Sequence, residues 1–383
     1  MVLLAIIYMA FISLGLPDSL LGAAWPTMRV DLNAPISMAG AVAMVCSAGT
    51  IVSSLMSTRM INRFGTGKVT MFSTALTALA LVGYALAPAP WLLFVVAIPL
   101  GLGAGSVDSA LNNYVSLHYE AKHMSWLHCF WGVGCSIGPA ILAACIANGL
   151  GWRTGYGVVI GIQALLVLAM ALTQSLWKSE AASPIAHEAV EQEFLTNTQA
   201  LKLPGMKAVL ITFFCYCAAE SSMILWTSSY AEYLGASKEQ ASIASSLFFI
   251  GITVGRGLNG FLAIKFTSKQ LIRAGIALML AGIGVLFLPL GYAGCLAGAM
   301  IIGLGCAPVY PCTIHETPRR FGASASQAAT GLQMACAYTG STLMPPLMGA
   351  LSNLTGLGIM PLWLLGLTGV MLVCNEAVNK RAA

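Results

Sequence analysis

Charge is what this chain has least of. Only 8% of its 383 residues are Asp, Glu, Lys or Arg, against 58% hydrophobic. No soluble domain of this length buries so much apolar surface, so a water-soluble fold is excluded. Catalytic signatures are scarce as well. His-Glu-x-x-His and the phosphate-cradling Walker loop are both absent, so neither metalloprotease chemistry of that type nor ATP-driven work on this chain is indicated. The eleven cysteines contain no Cys-x-x-Cys. Cys215 and Cys217, two apart on a helix, point in different directions, and the set reads as small apolar filler rather than a metal site or disulfide framework. Neither a metal nor a cofactor is expected. Period-two alternation is weak, which argues against a transmembrane β-barrel.

What the chain does have is apolar length. A helix crosses the hydrocarbon core with about 20 apolar residues. Twelve such stretches lie near 2–30, 35–61, 69–87, 90–117, 125–149, 153–173, 205–233, 238–262, 271–288, 292–314, 323–351 and 356–375. The first is too long for a signal-peptide core and carries no cleavage site, so it reads as a span. Gly and Pro are frequent inside these stretches, as membrane helices tolerate. With the first residue placed in the cytoplasm, fourteen of the eighteen lysines and arginines fall in cytoplasmic loops. Only Arg29, Arg153 and Lys238 fall outside, and Arg256 lies within a span. Both termini are therefore expected in the cytoplasm of a multi-pass plasma (inner) membrane protein. The charge of +5 is spread this way and does not point to nucleic acid.

The one long polar segment, 174–204, contains Glu188, Glu191 and Glu193 and separates spans six and seven. It divides the chain into an N-terminal six-helix bundle (1–173), a cytoplasmic linker (174–204) and a C-terminal six-helix bundle (205–383). Residues 188–201 are expected to form a short amphipathic helix. The second half is a diverged copy of the first. Asp18 and Glu220, each in the middle of an apolar stretch, are 202 residues apart, and Gly101-Leu102-Gly103 recurs as Gly303-Leu304-Gly305 at the same offset. Gly134 and Pro139 recur as Gly340 and Pro345 with the offset slipped to 206. A carboxylate at the same place in both copies suggests a site on the axis between them.

The stretch Thr58-Arg59-Met60-Ile61-Asn62-Arg63-Phe64-Gly65-Thr66-Gly67-Lys68 resembles the loop motif of the major facilitator superfamily, which normally reads Gly-x-x-x-Asp-Arg-x-Gly-Arg-Arg/Lys. Thr58 replaces the Gly and Asn62 the Asp. A second copy at Gly260-Phe261-Leu262-Ala263-Ile264-Lys265 restores the Gly and loses the Asp. Within the superfamily, three segments resemble the fucose–proton symporter family and its bacterial relatives. They are Gly15-Leu16-Pro17-Asp18-Ser19-Leu20-Leu21-Gly22, Gly105-Ser106-Val107-Asp108-Ser109-Ala110-Leu111-Asn112, and Trp126-Leu127-His128-Cys129-Phe130-Trp131-Gly132-Val133-Gly134. The second has Asp where that family has Glu, and the third has His128 and Trp131 where it usually has Gln and Asn. The resemblance implies an all-α membrane protein of the major facilitator fold, with twelve transmembrane helices in two six-helix bundles related by pseudo-two-fold symmetry. It also implies proton coupling and sugar contact at Asp18 and Asp108.

The buried polar residues are the candidate site. A carboxyl in lipid favours its neutral form, which is what a reversible proton carrier needs. Asp18 alternatively caps a helix broken at Pro17. Trp25 shares its face and offers a plane to a sugar, or else sits in the interfacial aromatic belt. Asp108 and Asn112, one turn apart, present donors and acceptors to a polyol, or bond each other. Glu220 is a second proton site or the partner of Arg256. Arg256 either snorkels or pairs with Asp18, Asp108 or Glu220. His128 and Trp131 share one face; His128 is a titrating group or a packing residue. Tyr310 and Gln333 are candidate lining on the C-terminal side, and Pro308, Pro311, Pro345 and Pro346 are expected to bend their helices.

Taken together, these features predict a monomeric secondary transporter whose partners are a small-molecule substrate, protons and the lipid bilayer. Symport of a monosaccharide or polyol is the first expectation. Export by proton antiport is the alternative, and a membrane-embedded receptor or enzyme stands third.

Overall fold

The computed structural model describes residues 2–35, 38–180 and 194–381. Glu188, Glu191 and Glu193 lie outside them, as does the 188–193 part of the expected 188–201 helix. Of that stretch only Asn197–Ala200 is seen to be helical.

Twelve long helices carry the described chain. They are α1 (Val2–Asp31), α2 (Met38–Phe64), α3 (Thr66–Leu86), α4 (Leu92–His118), α5 (Ala121–Ala147), α6 (Gly151–Leu172), α7 (Met206–Tyr233), α8 (Lys238–Leu262), α9 (Ser268–Leu286), α10 (Gly291–His315), α11 (Ala323–Thr355) and α12 (Met360–Arg381). Ten of them are long and apolar enough to cross a membrane, among the described residues. α11 is not among them. In α11 the reason is visible: Ser326, Gln327, Thr330 and Gln333 are all buried, so this helix spends its polar residues on neighbouring helices rather than on lipid.

α1 runs unbroken through Pro17. Asp18 therefore does not cap a helix break, because there is none to cap. α10 and α11 likewise continue through Pro308, Pro311, Pro345 and Pro346. The Trp226 indole donates to the Pro345 carbonyl at 2.9 Å, a contact between α7 and α11.

By contact, the chain forms two compact units. One holds 1–118, 127–197 and 323–335; the other holds 119–126, 198–322 and 336–383. In the first, α2 packs on α4, α3 on α4 and α6, and α1 on α6. In the second, α8 packs on α10, α9 on α10 and α12, and α7 on α12. The pairing is the same six helices later.

Glycines make this packing possible, and their contacts keep the repeat. A Cβ on Gly101 would run into the Cys46 carbonyl, and one on Gly303 into the Phe248 carbonyl. Both partners are 202 residues apart, like the glycines. Gly134 meets Ile12, and Gly340 meets Phe214, which is 202 beyond Ile12. Small residues let helix backbones approach closely in lipid, where no hydrophobic force drives them together.

Polar contacts repeat too. In the first unit Gln327 Nε2 donates to Ser57 Oγ at 3.2 Å, and Ser109 Oγ donates to the same atom at 2.9 Å. In the second, Asn259 Nδ2 donates to Ser125 Oγ at 2.6 Å. Ser57 and Asn259, and likewise Ser125 and Gln327, are 202 residues apart.

The loop-end charges of the first unit are also held. Asp31, the last residue of α1, accepts from Trp152 Nε1 at 2.8 Å and Arg153 at 3.0 Å, and Arg153 also donates to the Ala87 carbonyl at 3.2 Å. One acid thus ties the ends of α1, α3 and α6.

A side chain at a glycine whose Cβ has no room forces backbones apart, at a cost of about 1–3 kcal/mol. Gly134→Ala and Gly340→Ala should each lower the thermal midpoint of purified protein. Gly161→Ala, where a Cβ would meet nothing within 4 Å, should leave it unchanged or raise it.

Candidate functional site

Two polar clusters lie inside the spans, one in each unit. The first joins α1, α4 and α5. Gly15 on α1 and Gly134 on α5 allow the two backbones to touch, since a Cβ on either would strike the other helix. This contact carries α5 side chains within reach of α1. Trp131 Nε1 donates to Asp18 Oδ2 at 2.9 Å.

On α4, the side-chain amide of Asn112 donates to Asp108 Oδ1 at 2.7 Å and to the Asp108 carbonyl at 2.9 Å. Its oxygen faces His128 Nε2 at 3.0 Å. With its nitrogen committed to Asp108, Asn112 has only an acceptor left for the imidazole, so the proton of neutral His128 is assigned to Nε2. Phe11 sets its ring edge-on to His128, with centroids 5.5 Å apart.

The acids of this cluster differ in access. Asp108, Asn112 and His128 are 4%, 0% and 5% exposed. Asp18 is exposed although it sits in mid-span. An exposed acid at that depth marks a water-accessible path more often than a lipid face. Trp25 lies two turns further along α1, 6% exposed, in an apolar core with Tyr84, Trp152 and Tyr156. That burial removes it from a lipid-facing belt.

The second cluster joins α7 and α8. Arg256 donates to Glu220 Oε1 at 3.0 Å, with side chains 5% and 14% exposed. Glu220, one of the three carboxylates offered by the sequence, is paired with Arg256 here, and Arg256 is buried rather than snorkelling. Tyr310 packs beside this pair's helix, 4.6 Å from Phe213 and 6.1 Å from Tyr216 between ring centroids. Gln333, fully buried on α11, belongs to the first unit.

Two features escape the sequence reading. One is the Trp131–Asp18 bond, which depends on how α5 seats against α1. The other is the segment Gly134-Cys135-Ser136-Ile137-Gly138, which spells Gly-x-Ser-x-Gly. A nucleophile of that motif needs a strand-to-helix elbow. Here the segment is plain helix, Ser136 Oγ donates to the Gly132 carbonyl at 2.9 Å, and both glycines serve packing on α1.

Removing one member of a buried ion pair strands the other, at about 3–5 kcal/mol. Arg256→Met and Glu220→Gln should each lower the thermal midpoint clearly, and the double variant should recover part of the loss. Differential scanning fluorimetry of the three proteins checks this; losses that simply add would mean the pair contributes nothing as a pair.

Comparison with known proteins sets this geometry in context. Residues 7–235 and 208–376 match the family model of the Major Facilitator Superfamily. A curated relative, the glucose/mannose transporter GlcP of Bacillus subtilis (strain 168), is 23% identical over 319 residues, covering 79% of this chain and 77% of that one. Among solved structures, the transporter FucP in the outward conformation superposes with a TM-score of 0.82 at 15% identity, over 98% of each chain. A second structure, of the E. coli fucose:proton symporter FucP, superposes at 0.78 and 15% identity over 98% of each chain. The proton:xylose symporter XylE, bound to 6-bromo-6-deoxy-D-glucose, gives 0.78 at 14% identity, over 99% of this chain and 95% of that one.

Proposed function

This chain belongs to the Major Facilitator Superfamily, and we propose that it carries a monosaccharide or polyol across the membrane together with protons. Membership makes it a multi-pass membrane transporter and not an enzyme. The observation that carries the finer reading is the α1–α4–α5 cluster. It offers an exposed acid, a buried acid, an amide, an imidazole and an indole. That set suits a neutral hydroxylated solute, which needs donors and acceptors and a flat apolar face but no counter-ion. The names of GlcP, FucP and XylE support the same class.

Asp18 is the proposed proton carrier. Ionised, it only accepts, and the Trp131 indole donates to it. Protonated, it gains a donor and can hand that hydrogen bond to a solute hydroxyl. Loading the proton and loading the solute are thereby linked through one side chain. Asp108, pinned by Asn112, assists from within the cluster. Residues 1–173 and 205–383 are proposed as the two bundles that alternate access, joined by 174–204, in a monomer of the plasma (inner) membrane with both termini in the cytoplasm.

Asp18→Asn should abolish uphill, proton-driven uptake of labelled sugar in vesicles, while counterflow, which needs no proton gradient, persists. Full uphill uptake by the variant would remove Asp18 from coupling. Losing a buried hydrogen-bond partner costs about 1–3 kcal/mol, or roughly five- to a hundredfold in affinity. Asn112→Ala and Trp131→Ala should therefore weaken sugar binding by that range in a calorimetric or fluorescence titration. Unchanged affinity in both would place the site elsewhere.

A further inference from the structure

Outside the proposed transport cluster, a charged cavity in the second unit lies at its lysine- and arginine-rich end. It has a volume of about 310 Å³ and is lined by Thr267, Lys269, Glu316, Arg319 and Arg320. Two connections build it. The α8–α9 turn brings Thr267 and Lys269, and a short helix, Thr317–Phe321, linking α10 to α11 brings the two arginines. The start of α9 is already capped: Thr267 and Gln270 bond each other reciprocally, so the helix end has little to offer a ligand. What remains is side-chain charge, three cations against one carboxylate.

That carboxylate, Glu316, is 3% exposed and bonds Arg319 at 3.5 Å. Among the described residues no carboxylate bonds Arg320. Its terminal nitrogen donates to the amide oxygen of Asn379 at 3.3 Å. The nearby Glu376 is taken by Arg273 at 2.7 and 2.5 Å. The Arg320 Nε is buried and has no hydrogen-bond partner among the described residues. Burial pushes its guanidinium below the ordinary arginine range, and the field of Glu316 offsets only part of this. A largely buried guanidinium with an idle donor is costly, and a planar fork of donors matches two oxygens of one phosphate.

We propose that the cavity framed by Lys269, Arg319 and Arg320 is an anion site that takes a phosphate group. Arg320 supplies the buried fork, and Lys269 and Arg319 close on the remaining oxygens from the rim. Glu316 opposes the anion, but the three cations leave the cavity at a net charge of +2 from its own side chains. The bound phosphate ties the start of α9 to the α10–α11 connection and, through Arg320 and Asn379, to α12. Two sources offer that chemistry next to a membrane, the headgroup of an anionic phospholipid and a soluble phosphate ester. This site is independent of the sugar reading, because none of its residues belongs to the α1–α4–α5 cluster.

The test uses the full-length purified protein. In a neutral detergent, inorganic phosphate is titrated against chloride of equal ionic strength while the thermal midpoint is followed. In parallel, the protein is placed in phosphatidylcholine nanodiscs with and without phosphatidic acid, and the midpoint is compared. A rise in the phosphate arm marks a soluble source, and a rise only with phosphatidic acid marks a headgroup. The double variant Lys269→Gln, Arg319→Gln should cut the apparent affinity of the responding probe by about tenfold or more. Arg320→Gln should abolish the response; should it not fold, the rim double variant, whose positions are more open, carries the test, with a monodisperse elution profile as the check on folding. No rise in either arm, or an equal rise in wild type and double variant, overturns the proposal.

Discussion

Lipid accepts no hydrogen bonds, and that single fact orders the interior of this protein. Each polar side chain in a span must find its partner within the protein or pay the full cost of desolvation. Serines and threonines meet the demand on their own helix, as Thr70 and Thr74 do by donating to the carbonyls of Thr66 and Thr70 at 2.9 Å. Longer side chains meet it across helices. Gln163 of α6 donates to the Ser13 carbonyl of α1 at 3.1 Å and accepts from Thr77 of α3 at 3.3 Å. One amide thus joins three helices. The same demand sets Asn112 between Asp108 and His128, and Glu220 against Arg256.

Satisfaction has a consequence for chemistry. A group whose hydrogen bonds are all committed is rigid, and changing its protonation disturbs its partners. Asp108 is held by an amide that itself faces an imidazole. Asp18 is different, because its carboxylate is exposed and accepts from the Trp131 indole. Under the proposed symport, the buried acid would supply fixed geometry and the exposed one would supply change. Glu220 stands with the buried acid while Arg256 holds it.

Much of the fold was legible from residue order because the membrane imposes a one-dimensional code. Apolar runs of about 20 residues mark spans, and all twelve expected stretches fall on long helices. The 202-residue repeat was legible for a related reason: glycines at helix crossings cannot drift without clashes, so Gly101 and Gly303 kept their places. The candidate site was legible by type more than by partner. Asp18, Asp108, Glu220 and Arg256 stand out in any apolar stretch. Which acid Arg256 would choose depended on the seating of α8 against α7, and Trp131's choice of Asp18 depended on α5 against α1. Neither seating is written locally. The cap role considered for Asp18 failed because a proline in a membrane helix need not break it, as α1 shows by continuing through Pro17.

The slip of the repeat from 202 to 206 takes place inside the α5–α11 pair, between the contacts of Ser125 and Gln327 and those of Gly134 and Gly340. Four residues advance a helix by about 6 Å and rotate it by only some 40° beyond a full turn. The two ends of α11 therefore keep the packing faces that α5 has, while the stretch between them carries an added turn. His128 and Trp131 fall within that interval on α5, and Gln333 falls within it on α11. The extra turn frees the second copy from any obligation to match those two side chains. An ancestral doublet with identical halves would present the same chemistry twice; one inserted turn, neutral for packing, is enough to let the halves specialise.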